Sequence, residues 1–157
     1  MTLEIRDATA ADAEAATEVM RRSITELCTA DHNDDPKILD GWLANKKLEI
    51  FRAWLQQRNH SYLVAVEGGR IVCVGAVTNA GLITLNYVSP EARFRGVSRA
   101  MVAALEQRAR ARGNRDCTLA STATARRFYL ANGYVETGRP AGQFGTASGF
   151  PMSKALK

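Results

Sequence analysis

The chain has 157 residues, 46% of them hydrophobic and 24% charged, a composition that fits one globular domain over residues 1–157 and excludes a disordered protein or a coiled coil. The longest apolar run, 71–77, is far shorter than the roughly 18 residues of a membrane span, and the first ten residues lack the apolar segment of a secretory signal. We therefore expect a cytoplasmic protein with no membrane partner.

The formal net charge of +5 is distributed unevenly along the chain. Residues 1–68 hold 8 Lys and Arg against 12 Asp and Glu, whereas residues 69–157 hold 13 against 4. A basic second part indicates a bound anion, either a nucleic acid or a phosphorylated ligand.

The first 88 residues predict a strand, two helices and then three strands. In chain order these elements span 3–8, 13–27, 36–57, 61–67, 70–78 and 82–88. Thr9 followed by Asp12 is typical of a helix start, and apolar residues at three- and four-residue steps then predict the first helix. Gly68-Gly69 is the two-residue connection of a tight hairpin. Asn45 and Lys46 are expected to interrupt the second helical stretch.

The remaining residues predict a helix, a strand, a short helix and two strands. These elements span 97–112, 118–120, 124–131, 134–137 and 150–153. Segment 138–149 holds four glycines in twelve residues and predicts a mobile loop. The order of elements predicts an α/β (α+β) protein with a mixed sheet covered by helices.

Segment 86–99 is the most informative stretch, because a strand runs through an Arg- and Gly-rich turn directly into a helix. A helix start presents free N–H groups and a partial positive charge, so it stabilises an anion. Gly96 allows the backbone to approach such a ligand closely. The donors and charges around this turn come from Arg93, Arg95, Val97, Ser98 and Arg99. A plain turn with solvated arginines is the alternative.

This segment resembles the GCN5-related N-acetyltransferases, in which the pattern Arg/Gln-x-x-Gly-x-Gly/Ala opens a helix that holds the coenzyme A pyrophosphate. Arg93-x-x-Gly96-x-Ser98 matches that pattern, with serine where the family has glycine or alanine. Segment 118–134 is similar to the family's later strand and helix, with the pattern Thr-Ala-x-x-Phe-Tyr, three more residues, then Gly and an aromatic. Segment 151–156 also resembles the last strand, so the resemblance extends over essentially the whole chain.

The resemblance implies a mostly antiparallel central sheet with a splayed strand pair, flanked by helices. It implies direct transfer of the acetyl group from acetyl-CoA to a primary amine, without a metal and without an acetyl-enzyme, and the family often dimerises. Tyr129 occupies the position of the general acid that protonates the leaving thiolate. The implied cofactor-binding residues are Tyr87, Val88, Arg93, Phe94, Arg95, Gly96, Val97, Ser98, Arg99, Thr124 and Phe128.

The acceptor, a small-molecule or peptide amine, is expected to contact the first two helices and the loop 138–149. The predicted substrate-binding residues are Ile24, Leu27, Cys28, Asp31 and Trp54. Many family members place a glutamate on the strand before the pyrophosphate turn, but residues 82–88 contain no acid. Water, Glu26, Asp31 and His32 are therefore the candidate proton acceptors. We expect Asp31 and His32 to lie in a solvated acidic turn.

Several alternatives stay open. Cys28 and His32 have the spacing of a nucleophile with its base or of half a metal site, although no second ligand pair accompanies them. A basic face at Arg108, Arg110, Arg112 and Arg115 would suit a nucleic acid, but no aromatic platform accompanies it, so a solvated helix face is favoured. A third alternative is a sensor that keeps the fold and the cofactor. Cys73 and Cys117 are expected in the core, in reduced form.

Overall fold

The computed structural model describes residues 2–142 and 149–157, so residues 143–148 of the predicted loop lie outside the described residues. Its strands are β1 Leu3–Asp7, β2 His60–Glu67, β3 Arg70–Thr78, β4 Ile83–Val88, β5 Asp116–Ser121, β6 Val135–Glu136 and β7 Phe150–Ala155. Its helices are α1 Ala13–Leu27, α2 Thr29–His32, α3 Pro36–Leu43, α4 Leu48–Leu55, α5 Val97–Ala111 and α6 Arg126–Ala131. No described helix is both long and apolar enough to cross a bilayer.

The strands form two antiparallel sheets that meet at one point. The first sheet has the order β1-β2-β3-β4 and the second the order β5-β7-β6. Among the described residues, β4 and β5 are joined by a single parallel bridge between Leu82 and Thr118, with a Thr118 N–H to Gly81 O distance of 3.0 Å. Beyond this bridge the two strands separate. The predicted antiparallel sheet with a splayed strand pair is therefore confirmed.

Helices pack on both faces of the first sheet because β3 is apolar on both faces. Val74 belongs to the same buried cluster as Met20 of α1, whereas Cys73 belongs to a second buried cluster that contains Met101 of α5. Gly75 brings α5 close, since a Cβ there would lie 2.5 Å from the Met101 sulfur. The three cysteines are buried and free, as expected of Cys73 and Cys117.

The segment after α1 differs from the sequence-based expectation. The second helical stretch is interrupted as predicted, between α3 and α4. The acidic turn, however, folds into α2, and Asp31 and His32 are 3% and 0% exposed. The prediction that both are solvated is wrong, because hydrogen bonds to neighbouring segments replace their contacts with water. Asp34 and Asp35 of the same turn are exposed.

The start of α1 is fixed by Asp12, whose carboxylate accepts two hydrogen bonds from Arg6, at 2.7 and 2.9 Å, and one from the Thr9 N–H at 2.7 Å. The Arg6 hydrogen bond is the main cause that lowers the pKa of Asp12 to about 2. Because the pKa of Asp12 is lower in the folded than in the unfolded chain, its ionised carboxylate stabilises the fold at pH values above about 4. This stabilisation is lost as the pH falls toward 2 and the carboxylate of the folded protein is protonated.

We therefore expect Asp12→Asn to reduce the free energy of unfolding at pH 7 by about 1–2 kcal/mol, since Arg6 is partly exposed and solvent weakens the pair. The difference in the free energy of unfolding between this variant and the wild type should become smaller as the pH is lowered from 7 to 3. Urea denaturation at both pH values measures it, with the exposed Glu14→Gln as the control. If the difference in the free energy of unfolding does not change with pH, the stabilisation does not come from the ionised Asp12 carboxylate.

Candidate active site

A cleft of about 500 Å³ opens where β4 and β5 separate. Its walls come from the end of α1, from β4, from the end of β5 and from α6, and the start of α5 lies at one end. A bulge in β4 lies at this opening. Thr84 is an extra residue relative to β3, since Ala76 pairs with Leu85 and Val77 with Ile83. Such a bulge bends a strand and increases its twist.

The open edge of β4 presents backbone groups to the cleft. Ser89 N–H donates to Val72 O at 2.7 Å. In an antiparallel pair every second residue directs its N–H and C=O groups toward the partner strand, so Tyr87, two residues before Ser89, also directs these groups toward β3. The N–H groups of Asn86 and Val88 therefore face the opening. Val88 therefore presents a backbone N–H to the cleft, whereas Tyr87 contributes its side chain to the wall. The Tyr87 hydroxyl accepts a hydrogen bond from the Trp42 indole at 3.1 Å.

The N-terminus of α5 forms an anion-binding end of the cleft. The first backbone hydrogen bond of this helix runs from Ala100 N–H to Gly96 O at 3.0 Å, which leaves the N–H groups of residues 97–99 without intrahelical acceptors. Gly96 has a φ of +80°, and apart from its chain neighbours no described heavy atom would lie within 4 Å of a Cβ at this position. The backbone is therefore accessible to a ligand at this turn.

The predicted arginines divide between the cleft and the surface. Arg93, Phe94, Ser98 and Arg99 line the cleft, with the Arg93 guanidinium 4.4 Å from the centre of the Phe94 ring. Arg95 does not line it. Its guanidinium donates to Glu67 of β2 at 2.6 Å, which draws the side chain away from the opening. The cleft is thus positively charged at its α5 end.

Tyr129 lies in the wall on α6, 6% exposed, between the rings of Phe128 and Tyr134. Its hydroxyl oxygen accepts a hydrogen bond from the Asn86 side-chain amide at 3.1 Å. Burial raises the pKa of Tyr129 to about 12, so the phenol is protonated at neutral pH. Because Asn86 occupies an acceptor position of the hydroxyl, the O–H proton is directed to another partner.

Asp31 anchors the loop before α6. Its carboxylate accepts hydrogen bonds from Ala123 N–H at 2.6 Å, and from the Thr124 N–H and hydroxyl at 3.2 and 2.6 Å. These bonds fix the start of the segment that carries Phe128 and Tyr129. Asp31 does not line the cleft, whereas Thr124 and Phe128, which are predicted to bind the cofactor, do line it.

The other predicted substrate residues are found in three different places. Leu27 and Cys28 line the cleft. Ile24 lies in the core, 0% exposed, against Cys28 and Trp42. Trp54 lines a second cavity of about 430 Å³ that shares β4 residues with the cleft. Ile24 was predicted from its place on α1, but its position on the helix turns it toward α3 instead.

Cys28 and His32 do not form a nucleophile and base pair. His32 Nδ1 accepts from Asp34 N–H at 3.0 Å, which leaves Nε2–H to donate to Ile24 O at 2.9 Å. Both ring nitrogens are therefore used by the backbone. Burial raises the pKa of the Cys28 thiol to about 12. Within the described residues, no three His, Cys, Asp or Glu side chains are placed to hold a metal ion.

Part of the predicted basic face makes contacts within the protein. Arg108 donates to the Asp7 carboxylate at 2.9 and 3.2 Å, and Arg112 donates to the side chain of Asn79. Arg110 and Arg115 are exposed. These contacts agree with the interpretation of this surface as the outer face of α5.

Sequence reasoning missed Asn86 and Lys46. Asn86 is a polar residue in a mostly apolar strand, and this pattern is the sequence signal that points to a functional side chain. Lys46 was noted as a helix breaker, and no sequence signal shows that it is 3% exposed and lines the second cavity.

Residues 28–156 match the family model described as an acetyltransferase (GNAT) domain. A search of curated sequences gave no match. The chain is similar to the structure of a GCN5-related N-acetyltransferase from Rhodopseudomonas palustris, at 26% identity and a TM-score of 0.88, over 99% of this chain and 97% of that one. The fold is also that of PaiA N-acetyltransferase from Thermoplasma acidophilum, solved with coenzyme A, at 18% identity and a TM-score of 0.86, over 99% and 100% of the two chains.

A phosphinothricin acetyltransferase from Sinorhizobium meliloti, solved with AcCoA, shares the fold at 23% identity and a TM-score of 0.71, over 99% of this chain and 89% of that one. The family model covers most of the sequence, and the cleft has the splayed strands that the resemblance implies and the helix start that segment 86–99 predicts. The chain belongs to the GCN5-related N-acetyltransferase family.

Proposed function

We propose that this protein transfers the acetyl group of acetyl-CoA directly to a primary amine. The observation that carries the proposal is the cleft between β4 and β5, which has the anion-binding start of α5 at one end and Tyr129 in its wall. An acetyl donor with a pyrophosphate needs both a positively charged end and a proton donor near its sulfur.

The described residues fit coenzyme A. The open space at Gly96 and the free N–H groups of residues 97–99 suit a pyrophosphate, and Arg93 and Arg99 add positive charge there. The outward N–H groups of Asn86 and Val88 on β4 suit a pantetheine arm that runs along the strand edge. Acetyl-CoA supplies an activated thioester carbonyl, and a backbone N–H of β4 polarises that carbonyl toward attack by an amine.

Tyr129 acts as the general acid in this proposal. Its raised pKa of about 12 keeps the proton on the phenol at neutral pH, and the hydrogen bond from Asn86 directs that proton toward the cleft. The proton passes to the thiolate as the carbon–sulfur bond breaks, so free CoA leaves in the thiol form, and Tyr129 regains a proton from water, which takes up the proton that the amine loses.

None of the three candidate side chains, Glu26, Asp31 and His32, lines the cleft. Glu26 pairs with Arg22 at 2.9 Å on the surface, and Asp31 and His32 bind backbone groups. No Asp or Glu of the described residues lines the cleft or the second cavity. We infer that the amine loses its proton through water.

The proposed transfer is tested by mixing the protein with acetyl-CoA and a panel of primary amines, while following thiol release. Mass spectrometry of the amine and of the protein then locates the acetyl group. We expect acetylated amine with an intersecting, sequential kinetic pattern. Ping-pong kinetics with an acetylated protein would contradict direct transfer, and binding without transfer to any amine would favour the sensor alternative.

The role of Asn86 gives a further prediction. Asn86→Ala removes the hydrogen bond to Tyr129, so we expect kcat to fall by about tenfold, less than for loss of the phenol itself. If Asn86 acts through Tyr129, the substitution should have almost no effect in a Tyr129→Phe background. Steady-state kinetics of the two single variants and the double variant measure this, and additive losses would contradict the assigned role.

A further inference from the structure

Phe94 lies in the turn that leads into α5, at the end of the cleft that is proposed to hold the pyrophosphate. Its side chain is 89% exposed, whereas the other exposed large hydrophobic residues of the described segments, Leu82, Leu130 and Val135, are 42%, 44% and 62% exposed. A single apolar side chain on a surface is common and needs no function. Phe94, however, also has an unfavourable backbone conformation.

The φ of Phe94 is +64°, in the left-handed region. Among residues 2–142 and 149–157, the other non-glycine residues with a positive φ are Asn33 and Asp34, whose short polar side chains tolerate it. A bulky side chain adopts this conformation only at a cost in free energy. Phe94 therefore strains the backbone and, being exposed, gains little from burial in return.

Two ion pairs hold the turn on either side of Phe94. Before it, the Glu91 carboxylate accepts from the Arg22 guanidinium of α1, with N–O distances of 2.7 and 3.0 Å. After it, Arg95 donates to Glu67 of β2 at 2.6 Å. Segments distant in sequence thus fix the turn in its strained form. Strain that the surroundings impose in this way is typical of binding sites.

The ring of Phe94 has an open face. The Arg93 guanidinium lies over one face, 4.4 Å from the ring centre, and the 89% exposure of Phe94 leaves the rest of the ring in solvent. Both residues line the cleft. An aromatic ring with a cation on one face can stack with a second planar group on the other. The planar group of coenzyme A is adenine, and every base has a π-face that stacks on aromatic side chains.

The order of the groups in coenzyme A brings the adenine to this end of the cleft. The thioester is proposed to lie near Tyr129, the pantetheine along β4 and the pyrophosphate at residues 97–99. The adenosine is attached on the far side of the pyrophosphate from the pantetheine. It therefore projects beyond the start of α5, into the solvent-exposed region where the Phe94 ring lies.

We propose that the adenine ring of coenzyme A stacks on the open face of Phe94. The inference rests on the proposed function, and it assigns Phe94 to the nucleotide and not to the pyrophosphate. The strained turn then serves binding, because it keeps the ring in the solvent beside the anion-binding helix start. The stack also makes the nucleotide part of what the protein recognises in its donor.

Calorimetric titration with CoA tests the contact. Phe94→Leu keeps an apolar side chain and removes the ring, whereas Phe94→Tyr keeps the ring. We expect CoA binding to be at least about fivefold weaker for Phe94→Leu and within about twofold of wild type for Phe94→Tyr. The control is Val135→Ala, which shortens an exposed apolar side chain on β6 and should leave CoA affinity unchanged.

Proton NMR of CoA shows whether the adenine itself makes the contact. A proton that lies over an aromatic ring resonates upfield. The adenine H2 and H8 resonances should therefore shift upfield when CoA binds the wild type, and much less when it binds Phe94→Leu. The methyl resonances of the pantetheine should shift equally in both proteins, because the substitution leaves β4 unchanged.

Phe94→Asn separates binding from folding. Asparagine tolerates a positive φ, so we expect the melting temperature of the ligand-free protein to rise by about 2–4 °C. CoA binding should nevertheless weaken at least about fivefold, since the ring is lost. A residue that serves only the fold would give the opposite change in melting temperature.

Wild-type CoA affinity in Phe94→Leu, an equal loss in Phe94→Tyr, or adenine resonances that do not move upfield with the wild type would each overturn the inference. A lower melting temperature of Phe94→Asn would assign Phe94 to the fold and would also overturn it. If the wild type does not bind CoA at all, the proposed function is rejected, whereas CoA binding that is independent of the Phe94 ring rejects this inference alone.

Discussion

Replacing Tyr129 by phenylalanine is expected to lower kcat by at least about 100-fold, the range in which a general acid contributes, and to leave the affinity for acetyl-CoA unchanged. The ring stays in its packing between Phe128 and Tyr134, so the substitution removes only the hydroxyl, with its proton and the hydrogen bond that it accepts from Asn86. Steady-state kinetics give kcat, and calorimetry gives the affinity. Because the pKa of Tyr129 is about 12, ionisation of this phenol should not limit the wild-type rate below about pH 11.

The matched control is Tyr134→Phe. Tyr134 is also a buried tyrosine, and its hydroxyl donates to Glu106 at 2.8 Å outside the cleft. We expect this variant to lose stability, since a buried hydrogen bond is broken, while its kcat stays within about twofold of wild type. Equal kcat losses in the two variants would remove Tyr129 from the role of general acid.

Gly96→Ala is expected to weaken acetyl-CoA binding by at least about tenfold, or 1.4 kcal/mol. Gly96 has a φ of +80°, and the space into which a Cβ would project is the open space at the start of α5. The new methyl group would occupy the position at which the pyrophosphate approaches the backbone. Calorimetric titration of the variant with acetyl-CoA measures the loss.

A control variant, Gly113→Ala at the other end of α5, separates the backbone strain of Gly96→Ala from its effect on ligand binding. Gly113 has a φ of +90° and equally open space at its Cβ position, so both variants carry a similar strain of about 1–2 kcal/mol. We expect similar decreases in melting temperature and a loss of acetyl-CoA affinity for Gly96→Ala alone. Equal affinities in the two variants would show that the ligand does not approach Gly96.

Local signals were sufficient to predict one tight turn and the helix whose start lies at the cleft. The Gly68-Gly69 turn, the start of α5 at Gly96 and the periodicity of α5 depend on neighbouring residues, and the structure confirms these three features. The splayed strand pair was expected from the family resemblance. Its physical cause, the extra residue Thr84 and the single bridge between β4 and β5, depends on pairing between distant segments.

The side-chain partners could not be predicted, because they are far apart in sequence. Arg95 meets Glu67, 28 residues away, and Asp31 binds Ala123 and Thr124 more than 90 residues away. Asp31 carries a charge that, taken alone, favours solvation, yet it is buried because three donors converge on its carboxylate. The same limit applies to Asn86, whose partner Tyr129 is 43 residues away.

Calorimetric titration of the purified protein with acetyl-CoA tests the central claim most directly, because it requires no knowledge of the acceptor. We expect saturable binding at one site per chain, with similar binding of CoA, since both compounds carry the pyrophosphate that the start of α5 would hold. Absence of binding for both compounds would contradict the proposal that the cleft between β4 and β5 is an acetyl-CoA site.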